Sequence, residues 1–128
     1  MNNEQFIKSI IQAVHDSVVN GLLENIENPP GRKPPSSSVE LAEWVSKLPE
    51  NEKEKIQKII NRAVHAAIFG FLTVLDGARA IESTPEKGQL KLFWEKEAEK
   101  ILLNDPENED LHDIYQAEVY SEVFEKES

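Results

Sequence analysis

Three histidines, His15, His65 and His112, and a short run of charges are the side chains best placed to do chemistry in this chain. Asp76, Arg79 and Glu82 follow at i, i+3 and i+6, directly after the most apolar segment. If His15, Asp16 and His65 converged with Asp76 or with the His112-Asp113 pair, imidazole and carboxylate together would suit zinc, manganese or iron. The all-helical metal-dependent phosphohydrolases use a His and a His-Asp pair in this way. Their ligands sit in longer bundles with a further downstream acid, and the spacing here does not reproduce that. A lone helical histidine is more often a satisfied core residue, so no metal and no cofactor is expected. The polar site to weigh is His65, Asp76, Arg79 and Glu82. Its bland reading is an internal salt bridge that ties a helix end to a neighbouring connection.

Nucleophilic chemistry has less support. The chain has no cysteine, its five glycines are scattered singly, and neither a Gly-x-Ser-x-Gly elbow nor a glycine-rich phosphate loop is present. Carboxylate pairs such as Glu40/Glu43 and Glu107/Asp110 are what 24 acids produce by chance. The net charge of −10 opposes nucleic-acid binding, which needs a cationic face. The charge is uneven, because residues 105–128 hold nine acids against Lys126 alone.

The element that must position these groups is Arg62 to Glu82, RAVHAAIFGFLTVLDGARAIE. Between Ala63 and Leu75 only His65 and Thr73 are polar, so the stretch reads as a helix buried on nearly every side, with Phe71 and Leu75 in its packed face. The run is 13 residues long, too short for a membrane span. Pro49 opens this helix in its first turn, with Glu50 and Glu52 near the positive end of its dipole. Carried from 49 to 83 it would be about 52 Å long, against a diameter of roughly 36 Å for a compact chain of this size. A break near Gly70 or Gly77 is therefore expected. Projected at 100° per residue, Asp76 falls close to His65 and Phe69, nearly opposite Ile60, Phe71 and Ala78.

Ahead of it, Phe6, Ile7, Ile10, Ile11, Val14, Val18, Leu22 and Ile26 make one amphipathic helix over residues 3–27. It must end by Asn28, because Pro29 disfavours α geometry in the residue before it. Residues 28–38 form a proline-rich connection, and Ser37 with Glu40 fits a capping box that opens a second helix carrying Leu41, Trp44, Val45 and Leu48. Beyond the central helix, 89–104 fits two readings. Leu90, Leu92 and Trp94 alternate as in a strand that pairs with KILLN, while LKLFWEKEAEKILL also reads as a helix. Asp105 then caps, Pro106 takes a first helical position, and Leu111, Ile114, Tyr115, Val119 and Val123 give a last amphipathic helix that frays over 125–128.

Three segments in one order, PPGRKP at 29–34, AIFGFLTVLDGARAIE at 67–82 and LLNDPENEDLHDIY at 102–115, resemble a family of small uncharacterised bacterial proteins. The resemblance implies a β-hairpin at 89–104, although Glu97-Ala98 stands where such a turn would hold glycine. It implies no activity. The chain is thus expected to be one mainly α domain spanning 1–128, with about four helices and a small hairpin before the last. Without an export signal or a membrane segment it is expected in the cytoplasm. Its expected role is to bind another protein, a basic one given its charge, as an acidic inhibitor, immunity or antitoxin-type protein; homo-oligomers are compatible with this. Glu109, Asp110 and Asp113, beside the apolar stripe of the last helix, are the expected docking acids. The competing class is a small metal- or nucleotide-dependent helical hydrolase.

Overall fold

The computed structural model describes residues 1–120 and 124. It is mainly helical, with a two-stranded antiparallel hairpin before the last helix: α1 (Asn3–Ile10), a π-helical segment (Ile11–Asp16), α2 (Ser17–Glu27), α3 (Ser36–Ser46), α4 (Glu50–Leu75), β1 (Phe93–Lys96), β2 (Glu99–Leu102) and α5 (Leu111–Tyr120). Val123 and the fraying expected at 125–128 lie outside the described residues.

The first helix runs without interruption from Asn3 to Glu27 and stops before Asn28, as the prolines require. Asn2 and Gln5 close a reciprocal capping box at its start, each side chain bonding the other's backbone N–H at 2.9 Å. Its middle widens to i→i+5 bonding, which the apolar spacing does not announce. Ile7, Ile11 and His15, four residues apart, are buried, whereas α2 has no buried residue, and Val14, Val18 and Leu22 are exposed.

α3 starts at Ser36 with Pro35 in the cap position and no side-chain cap, so the capping box expected from Ser37 and Glu40 does not form. Only Val45 of α3 is buried; Leu41 is 46% and Trp44 56% exposed.

α4 departs from expectation at both ends and on one face. Pro49 is its N-cap rather than a first-turn residue, with Glu50 and Glu52 in the first turn. It ends at Leu75 because Gly77, at φ +78°, closes a Schellman motif: Ala78 N–H bonds Thr73 O at 2.9 Å and Gly77 N–H bonds Val74 O at 3.1 Å. Of the two breaks expected, the one at Gly77 forms, while Gly70 stays inside the helix. Nor is α4 buried all round. Phe71 is 63% and Ile59 66% exposed, because α2, the π-helical segment and α5 pack against one side of the helix and leave these two on the other.

In the hairpin, Phe93 pairs with Leu102 and Lys96 with Glu99, leaving Glu97-Ala98 as a two-residue turn. Glu97 takes φ +54° and supplies the positive φ that a tight hairpin turn needs in place of glycine. The last helix begins at Leu111, five residues later than a cap at Asp105 and a first helical residue at Pro106 implied. Asp105 instead closes a separate turn, accepting from Glu107 N–H on its side chain and from Asn108 N–H on its carbonyl, both at 3.0 Å.

The core joins Ile7 and Ile11 to Leu72 of α4 and to Leu111, Ile114, Tyr115 and Val119 of α5, with Phe6, Ile68, Phe69, Leu75 and Phe124 at its edge. Burying a side chain of this size contributes about 1.5–3 kcal/mol. The cluster therefore ties α1 and α4 to α5 more firmly than α2, with no buried residue, is tied to α3.

Candidate functional site

The polar groups gather along the seam between α4 and α5. His65 stacks on Tyr115, with ring centroids 5.2 Å apart, and its Nε2 meets Gln116 Oε1 at 3.2 Å. One turn on, Phe69 meets the His112 ring edge-on at 5.6 Å. At the end of α4, Asp76 Oδ2 accepts two bonds from His112, from the backbone N–H at 2.8 Å and from Nδ1 at 2.7 Å. The angular proximity of His65, Phe69 and Asp76 read from the sequence is what places all three against α5.

A carboxylate only accepts, so His112 Nδ1 is the donor in this bond. Asp76 thereby caps the first turn of α5 from another helix, its side chain 2% exposed. Asp110, directly before Leu111, accepts from Asp113 and Ile114 N–H through its carbonyl, and so holds the cap position of α5 itself.

The metal constellation considered above divides in two. His15 bonds its neighbour Asp16 at 2.9 Å and meets Tyr115 edge-on, with centroids 6.5 Å apart. Among the described residues, His15 Nε2, His65 Nδ1 and the Tyr115 hydroxyl lie buried without a hydrogen-bond partner. Burial, with a further push from Asp16, raises the Tyr115 ionisation well above its ordinary value, so the phenol stays protonated and is a poor metal ligand. Burial also pulls the His65 pKa down, against the Gln116 bond that raises it, and the neighbouring His15 lowers it further. The second group is tighter: Asp76, Asp110 and His112 each bring one possible ligand atom within 4.8 Å of the others. Two carboxylates and an imidazole suit manganese or zinc as a donor set. Asp76, however, already holds two N–H groups of α5, which is a complete structural role.

Asp76, Arg79 and Glu82 all line a cleft of about 450 Å³ between the end of α4, the 78–92 connection and the hairpin, and His65 is not among its lining residues. The cleft falls within the size of small-molecule pockets. The internal salt bridge expected of the trio is not formed. Asp76 serves His112, and Glu82 Oε1 accepts from Gly88 N–H at 3.2 Å, closing the loop 82–88. Arg79 folds back over Gly70, where an added Cβ would stand 2.7 Å from Nη1, and it makes no ion pair among the described residues.

One organising residue escaped sequence reasoning. Asn104 donates to Leu75 O at 2.7 Å and Leu90 O at 2.9 Å, and accepts from Leu92 N–H at 2.8 Å, so a single amide fastens the hairpin to the end of α4. Its only sequence signal is its position between an apolar pair and Asp-Pro.

Glu109 and Asp113 are exposed and Asp110 is half-buried at the start of α5. The apolar stripe that was to accompany them is core, since Leu111, Ile114, Tyr115 and Val119 are all buried. The acids therefore do not border an open apolar surface on α5. Compared with known protein families, curated proteins and solved structures, the chain matches none.

Proposed function

We propose that the chain is a non-catalytic cytoplasmic module that binds another protein, a basic one, in the manner of an acidic inhibitor, immunity or antitoxin-type protein. The observation that carries this is the exposure of large apolar side chains on helices. Leu41 and Trp44 stand on α3, and Val14, Val18 and Leu22 follow one another at four-residue steps along the first helix. Contiguous apolar surface of this kind marks interaction sites. Tryptophan is among the residues that dominate binding energy when a partner covers it. The net charge of −10 adds long-range attraction for a cationic partner and opposes nucleic acid.

The second reading, a small metal- or nucleotide-dependent hydrolase, is favoured by the Asp76–Asp110–His112 group and the cleft beside it. One experiment separates the two. The full chain and its Leu41→Lys/Trp44→Lys variant are immobilised and challenged with native-host lysate, and the same preparations are assayed for bound metal and for nucleotide hydrolysis with added manganese. The interaction reading expects a partner held stoichiometrically by the unaltered chain and released by the variant. Retained metal, with hydrolysis abolished by Asp76→Asn, would establish the enzyme instead.

A further inference from the structure

We propose that two copies of this chain pair through the outward face of α4, antiparallel about a two-fold axis at the level of His65. This involves a different helix from the α3 surface above and does not depend on it.

The first observation is area. The chain exposes 9070 Å². A compact monomer of 14.5 kDa exposes about 6,900 Å², so the excess is roughly 2,200 Å². Even with the seven undescribed residues counted as wholly unfolded, at roughly 160 Å² each, about 1,100 Å² of excess remains. An ordinary specific interface takes about 800 Å² from each partner, and an obligate homodimer about 1,000–2,500 Å². The surplus over the whole chain is as large as the surface one protomer gives to a stable dimer.

The second observation is the shape of the exposed ridge. Ile59, Ala63, Ala67 and Phe71 follow at four-residue steps, all exposed, in the order large, small, small, large. The order is symmetric about position 65. A two-fold, antiparallel pairing therefore sets Ile59 of one copy against Phe71 of the other, and Ala63 against Ala67, as an isologous interface requires. Two i±4 ridges that interdigitate cross at about 50°. At such a crossing small residues at the centre let the backbones approach, and large ones on either side fill the space as the helices diverge.

The third observation is charge. In a protein of net charge −10, the segment from Ile56 to Leu75 contains Lys58 and Arg62 and no acid, so pairing here does not bring carboxylates together. α4 also has the length and composition of a membrane-crossing helix. Its other face carries His65 and Thr73 and packs on α2 and α5, which makes it a one-sided surface rather than a span.

The test is the solution mass of the full chain by light scattering from about 1 to 100 µM, alongside Ala67→Glu. A glutamate at this exposed helical position leaves the protomer's circular dichroism unchanged. It places two unpaired like charges in the pairing face, which should weaken association more than about 100-fold. The expected masses are twice 14.5 kDa for the unaltered chain and once for the variant. Because the chain has no cysteine, mixing Ile59→Cys with Phe71→Cys and adding a short bismaleimide should give a cross-linked pair, and neither variant alone should. A monomer throughout the range overturns the proposal, as does a dimer indifferent to Ala67→Glu or cross-linked between like positions. Co-sedimentation of a monomeric chain with anionic vesicles would also overturn it, assigning this face to lipid. None of these outcomes bears on partner capture through Leu41 and Trp44.

Discussion

Asp76 shows how a residue chosen for its chemistry can be occupied by architecture. Asp76 holds the C-cap position of one helix while its carboxylate caps the start of another, and both donors the carboxylate satisfies belong to His112. Asp76→Ala leaves a part-buried backbone N–H and an imidazole N–H without acceptors and should cost about 2–3 kcal/mol in urea unfolding. Asp76→Asn keeps an acceptor and should cost about half as much. Equal losses would show that charge, not hydrogen bonding, is what matters there. His65 gives a pH dependence. Its native pKa lies below the ordinary 6.5 because burial disfavours the imidazolium, so above that pH it is neutral in both native and unfolded states and contributes nothing. As pH falls through about 6.5 the unfolded chain takes up a proton that the native chain refuses, and stability declines until the lowered native pKa is reached. His65→Gln should flatten this decline in stability measured from pH 7.5 downward, and an unchanged slope would assign it to another group.

At the scale of elements, existence was easier to read than extent. The helix over 3–27, the proline break, the long central helix and the last amphipathic helix all follow from periodicity and proline placement, because those signals are local. Which face of α4 is covered is not local. Phe71 and Leu72 are equally apolar in the sequence, yet one is exposed and the other buried, since that depends on where α5 crosses. The hairpin was open between two readings on its residues. The structure resolves it with a positive φ at Glu97, where an L side chain costs about 1–2 kcal/mol. Glu97→Gly should therefore raise stability by up to about 1 kcal/mol after the extra backbone entropy of glycine is counted. Ala98→Gly, at a position without positive φ, should lower it by about 0.5–1 kcal/mol. Thermal unfolding of the two variants checks this, and a reversed ranking would place the strained turn position at Ala98.

For the whole molecule, periodicity foretold the helices and the family resemblance the hairpin, but neither foretold which helix faces stay exposed. The candidate site was half legible: helical projection grouped His65, Phe69 and Asp76, while the Asn104 clamp and the separation of His15 from His112 depend on long-range folding that no local pattern encodes. Acids at the start of α5 and apolar residues along it were both read correctly as residues. Their joint use as a surface was not, because that apolar side faces the core.

The π-helical segment has a consequence for the chain's bookkeeping of rotation. A residue in a π turn advances the helix by about 80° rather than 100°, so over residues 11–16 the first helix falls behind by about one residue's rotation. The helix thus carries one residue more than an even α-helix would need to join the same two ends in the same orientation. That surplus residue lets the Ile7, Ile11 and His15 line persist at intervals of four without drifting round the axis, so His15 meets Tyr115 on the side from which Ile7 enters the core. The offset is local to one turn, and it gives the two halves of a single helix independent aim.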